Sequence, residues 1–103
     1  IDAALATGAP AIELHTGRFS ETSSESSRLV ELNKIIHAAQ YAQQAGLEVH
    51  AGHGLHYQNT HEIAQITEIV ELNIGHAIVA QAVIVGLRTA VAQMKRIMQA
   101  ARS

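Results

Sequence analysis

The chain has 103 residues, 48% of them hydrophobic and 16% charged, a composition that suits one globular domain able to bury roughly 60–70% of its unfolded surface. The net charge is −2 and the seven Lys and Arg are scattered, so there is no basic stripe for a nucleic-acid backbone or an anionic membrane. Cysteine is absent, which excludes disulfides and thiolate metal sites, and the longest apolar run (74–87) is too short to span a bilayer and contains His76 and Gln81. The expected setting is cytoplasmic, with neither nucleic acid nor membrane as a partner.

The first residue is Ile1, and "IDAALATGAP" reads as the last turn of a helix stopped by Gly-Ala-Pro, with no cap before it. The expectation is a chain that starts in mid-element, a piece of something longer. Three stretches then share one pattern: Ile12-Glu13-Leu14-His15-Thr16-Gly17, Leu47-Glu48-Val49-His50-Ala51-Gly52 and Val70-Glu71-Leu72-Asn73-Ile74-Gly75. Each alternates with period 2, as a strand with one apolar face and one face of carboxylate, imidazole or amide does.

Between the first two strands, residues 24–45 carry Leu29, Leu32, Ile35, Ile36 and Ala39 at helical spacing, with Thr22 and Glu25 at capping-box spacing and Gly46 as the stop. Between the second and third, 59–65 offers an Asn or Thr cap and then Ile63 and Ile66, enough for a short helix. After the third strand, 76–85 reads as a mostly apolar helix. Past Gly86, the residues Leu87, Val91, Met94, Ile97 and Met98 mark a last amphipathic one.

Strands alternating with helices imply an α/β chain with parallel strands and right-handed crossovers. The central strand of an open doubly wound sheet would be apolar on both faces; a face carrying Glu13, His15, Glu48, His50, Glu71 and Asn73 suits instead a barrel interior put to polar work. The expected architecture is the C-terminal portion, the last three βα units, of a (β/α)8 TIM barrel, with the N-terminal part absent.

Barrel active sites lie at the C-terminal strand ends and the loops that follow. There, "VHAGHGLHYQN" places His53 between Gly52 and Gly54, a general acid or base candidate, since a free imidazole titrates near pH 6.5. A solvent-exposed loop histidine is the plain alternative, but the flanking glycines ask for a reason, and close approach of backbone to ligand supplies one. Glu13 lies near a strand end and is a candidate carboxylate; Glu48 and Glu71 read equally well as lower-rim residues or structural ion pairs. Asn73-Ile74-Gly75-His76 runs straight into a helix, whose free N–H groups and dipole make an anion site, although a glycine there also simply ends a strand. His50, His53 and His56 have metal-like spacing, but on a strand the first two face opposite sides, so no metal is expected. His37 and His61 are given no role.

At "GAPAIELHTGRFS", "HAGHGLHYQN", "ELNIGHAIVAQAV" and "GLRTAVAQMKRIM" the chain resembles the pyridoxine 5′-phosphate synthase family of (β/α)8 barrel enzymes of vitamin B6 biosynthesis. The blocks follow in order over essentially the whole chain and resemble the family's C-terminal part. The resemblance implies condensation of 1-deoxy-D-xylulose 5-phosphate with 3-amino-2-oxopropyl phosphate, closing the pyridine ring and releasing phosphate and water, with no metal or organic cofactor. It implies that His53 is the proton donor, that Glu13 stabilises the transition state, and that Gly54, Gly75 and His76 bind the amino-ketone phosphate. The family's other substrate ligands and its proton acceptors belong to the missing half, so the expectation is a chain inactive without it, and a family assembly that is usually a homo-octamer. A reading from another class is a non-catalytic phosphate-binding half-barrel that self-associates to cover its open strand edges.

Overall fold

A computed structural model describes all 103 residues. The chain runs α1 (Asp2–Thr7), β1 (Ala11–His15), α2 (Gly17–Ser20), α3 (Glu25–Gln44), β2 (Glu48–Gly52), α4 (Thr60–Ala64), β3 (Ile69–Asn73), α5 (His76–Val85) and α6 (Leu87–Ala101). The strands form a parallel three-stranded sheet in the order β1-β2-β3. Parallel order in sequence sends every strand's C-terminus to the same edge, so the loops after β1, β2 and β3 meet there.

The period-2 pattern decides the faces. Ile12 and Leu14 on β1, Val49 and Ala51 on β2, and Ile69 and Leu72 on β3 turn toward the helices, where Ile35, Ala39 and Ala42 of α3 and Ile63 and Ile66 around α4 complete the core. Val49, Ala51, Ile63 and Ile69 are all at most 1% exposed, so cutting any large one back to Ala would cost about 2–5 kcal/mol. The other face carries two layers in register: Glu13 beside His50 beside Glu71, and His15 beside Gly52 beside Asn73.

The third repeat departs from the pattern at its start. Val70 does not take the core position: Ile69 pairs with Val49, Glu71 pairs with His50, and Val70 bulges between them, 61% exposed. One extra residue shifts the alternation by one, so Ile69 and Leu72 share the core face despite their odd spacing.

The long helix spans the anticipated residues, but its cap is Ser24, whose side chain accepts the Ser27 N–H at 3.2 Å; the Thr22 hydroxyl instead donates to the Phe19 carbonyl at 2.8 Å. Helix α2, a single turn that buries Phe19, has no signal in the hydrophobic periodicity. The last helix is locked to the sheet through Arg102, which donates from Nε to the Ala64 carbonyl at 2.6 Å and from Nη2 to the carbonyls of Ile66, at 2.8 Å, and Ile69. One planar guanidinium thereby satisfies the carbonyls of the turn leading into β3. No helix is long and apolar enough to cross a membrane.

Candidate active site

The strand ends and their loops enclose a cleft of about 760 Å³. Glu13, His53, Gly54, Gly75 and His76, the residues singled out from the sequence, all line it. So do His15, His56 and Asn73, to which sequence reasoning assigned no role.

The loop after β2 is built around a strained histidine. His53 is the only non-glycine residue with positive φ, at 87°, followed by Gly54 at 77°. A side chain in that region costs about 1–3 kcal/mol and persists only where neighbours hold it. Here the fully buried Thr16 holds it: its N–H donates to the Gly52 carbonyl at 2.9 Å, and its hydroxyl sits 2.8 Å from that carbonyl and 2.6 Å from that of His53. Further along, the Asn59 side chain donates to the Gly54 carbonyl at 3.2 Å and accepts the His56 N–H at 2.7 Å, which closes the turn before α4.

The packing of the chain itself already gives a reason for the glycines beside His53. A Cβ at Gly52 would run into Glu13 Oε1 and come within 2.9 Å of the Asn73 carbonyl, and one at Gly54 would run into the Ser20 side chain. Gly75 is the contrary case. Its φ is −121°, within reach of other residues, and a Cβ there would meet nothing within 4 Å, so nothing inside the chain requires glycine.

Gly75 caps α5 without a side-chain hydrogen bond, and the Val79 N–H closes onto its carbonyl at 3.0 Å. The N–H groups of the first turn have no intrahelical acceptor, as at any helix start, and with the dipole they present partial positive charge to the cleft that Gly75, His76 and Ala77 line.

Glu13 receives a long hydrogen bond, 3.4 Å, from the Asn73 amide across the sheet. Glu48 and Glu71 do not line the cleft. Both turn to His50, whose Nε2 lies 2.8 Å from Glu48 Oε1 and whose Nδ1 lies 3.2 Å from Glu71 Oε2. With a carboxylate at each nitrogen the charged form of the ring is favoured: the hydrogen bond to Glu48 first, and the charges of Glu71, Glu48 and Glu13 after it, raise its pKa above the ordinary value against the opposing effect of desolvation. His50 is thus separated from His53 and His56, and the three do not converge on one point; no group of three His, Asp or Glu side chains stands where it could hold a metal ion.

Comparison with known proteins adds the lineage. Residues 1–100 match the family model described as "Pyridoxal phosphate biosynthesis protein PdxJ". The chain is 53% identical over 102 residues to a pyridoxine 5′-phosphate synthase of Idiomarina loihiensis, covering 99% of this chain and 42% of that protein. It is 53% identical over 103 residues to the protein of the same name from Colwellia psychrerythraea, again 42% of whose length is covered. The chain therefore spans well under half the length of these relatives.

The His50 bridge gives stability a pH dependence of definite sign. A pKa raised on folding contributes stability that is fully present below the unfolded value near 6.5 and is lost as pH rises through the folded value. The melting temperature is expected to fall as pH rises from 6 into the mildly alkaline range, and His50→Gln to flatten that segment of the profile; an identical slope in the variant would remove the bridge as its cause.

Proposed function

The chain belongs to the PdxJ family, and from that premise we propose that it forms the last three βα units of a (β/α)8 barrel acting as a pyridoxine 5′-phosphate synthase. The reaction proposed is the condensation of 1-deoxy-D-xylulose 5-phosphate with 3-amino-2-oxopropyl phosphate to pyridoxine 5′-phosphate, phosphate and water. The observation that carries the reading is convergence: one carboxylate, a glycine-presented imidazole and an uncapped helix start, from three different strand ends, line one cleft.

Each group matches a demand of the chemistry. Joining an amine to a ketone gives a carbinolamine whose hydroxyl leaves as water only if it receives a proton, and His53, on its rigid loop, is the donor. As that hydroxyl departs, positive charge grows on nitrogen, and the Glu13 carboxylate stabilises it. The amino-ketone substrate carries a phosphate, an anion suited to the α5 N-terminus, where Gly75 lets the phosphate approach the backbone and His76 adds its amide. Gly54 lies at the same substrate, beside His53. No metal or organic cofactor enters the scheme.

The remaining barrel strands, with the proton acceptors and the other substrate ligands, come from the missing N-terminal half, and the complete protein is proposed to be a cytoplasmic homo-oligomer. Two surfaces support a missing partner. The polar face of the sheet lies open, and Val83 and Ile84 of α5 are 84% and 80% exposed. The same surfaces would serve a half-barrel that pairs only with itself, so solution mass and activity together separate the two readings.

In the complete enzyme, His53→Asn is expected to lower kcat by roughly 10²- to 10⁴-fold with substrate binding less affected, as loss of a general acid does. Unchanged turnover would take His53 out of the mechanism. Gly75→Val is expected to weaken amino-ketone phosphate binding; an equal loss for a non-phosphorylated analogue would argue against a phosphate site. The purified 103-residue chain is expected to form no pyridoxine 5′-phosphate until the N-terminal half is supplied, and product formation by the chain on its own would overturn the assignment of essential groups to that half.

A further inference from the structure

The imidazole rings of His15 and His53 are stacked, with centroids 4.1 Å apart and planes inclined by 28°. They come from different strand ends, β1 and the loop after β2, so the contact is tertiary. We infer that His15 is a positioning residue for His53: its ring forms the platform that fixes the donor imidazole over the cleft. This rests on the reading of His53 as the proton donor.

The platform is itself held by a hydrogen bond. The Gly17 N–H donates to His15 Nδ1 at 3.2 Å, which fixes the orientation of the ring. A ring stacked on its neighbour limits that neighbour's rotation, so the His53 imidazole keeps one direction over the cleft. Gly17 allows the arrangement: a Cβ there would come within 2.5 Å of His15 Cε1 and 3.1 Å of His53 Cδ2, wedging into both rings. Gly17 is itself held by α2, where its carbonyl accepts the Ser20 hydroxyl at 2.7 Å and the same Ser20 abuts Gly54. The short helix thus ties the platform to the strained loop. The other titratable groups that share the cleft with His53 are Glu13 from β1, His56 from the loop itself and His76 from α5.

The test separates the ring from the hydrogen-bond acceptor. In the complete enzyme, His15→Phe keeps an aromatic face and His15→Gln keeps an acceptor for Gly17 but removes the face. Losing the platform leaves the donor imidazole free to turn away from the reacting oxygen, so His15→Gln is expected to lower kcat about three- to tenfold with KM little changed. His15→Phe is expected to restore most of that loss. Wild-type kcat in His15→Gln, or an equal loss in His15→Phe, would overturn the inference. The His53 ring resonances in NMR give a readout that needs no turnover: they are expected to shift and broaden in His15→Gln and to stay near their original positions in His15→Phe. If they move in this way while His53→Asn retains full activity, the donor assignment falls and the pairing of the two rings stands.

Discussion

Buried and 36 residues from its partner in sequence, the hydroxyl of Thr16 closes on the Gly52 carbonyl and reaches that of His53. The geometry of the cleft depends on this joint between the end of β1 and the end of β2. The Thr16 amide extends the sheet ladder by one bond, and the hydroxyl continues it past the point where the β2 backbone leaves extended conformation. A carbonyl buried without a partner costs about 1–3 kcal/mol, similar to the cost of a histidine at positive φ, so the joint is strong enough to hold the strain. His53 is therefore presented by a fixed turn and not by a mobile loop tip, which suits the donor role proposed for it.

The polar face is divided into layers with different tasks. In the lower layer Glu48 and Glu71 are occupied with His50, two carboxylates on one imidazole whose charged form they favour, which offsets part of the repulsion that Glu13, Glu48 and Glu71 would exert on one another across three adjacent strands. In the upper layer the His15 ring, Gly52 and the Asn73 amide frame Glu13 and His53. Charge is thus balanced beneath the cleft and left available at its wall. The strand register does this sorting, because a slip of one residue would send His50 and Glu71 into the apolar core.

Much of this was legible in the sequence, for physical reasons that can be named. The first two strands announce themselves by strict alternation and the third by the same pattern apart from its bulge, α3 and α6 by helical spacing of Leu, Ile and Met, and α5 by its mostly apolar run after Gly75; the elements fall where periodicity puts them. The residues marked by chemistry and glycine placement converge at one edge, since parallel strands in sequential order leave them nowhere else to go. What escaped was tertiary in origin. The bulge at Val70 is invisible because Ile69 and Val70 are interchangeable to a hydropathy pattern, and only pairing with Val49 selects between them. Helix α2 is too short for a period. Ser24 outcompetes Thr22 as a cap through geometry alone, both being good capping types. The stack of His15 on His53 joins residues 38 apart, and its only trace in the sequence is the alternation that puts His15 on the polar face.

The glycines show how a sequence signal and its cause can part. Gly52 and Gly54 stand out because they flank a histidine, yet each is required by neighbours within the chain, Glu13 and Asn73 for one and Ser20 for the other. Gly75 looks like an ordinary strand terminator, yet the folded chain leaves open space where its side chain would be. Helix α5 raises the same question along its length, since a mostly apolar helix with no buried residue is stable only when something else covers it. On the proposed reading its N-terminal turn and its flanks take different occupants, a phosphate at the cleft and apolar protein surface along the outside. A closed barrel supplies both at once, placing substrate at the strand ends and neighbouring helices against Val83 and Ile84. On the proposed reading, the unfilled space at Gly75 and the uncovered side of α5 share a cause: both are surfaces that the complete barrel and its substrate would cover, and this chain forms only the last three units of that barrel.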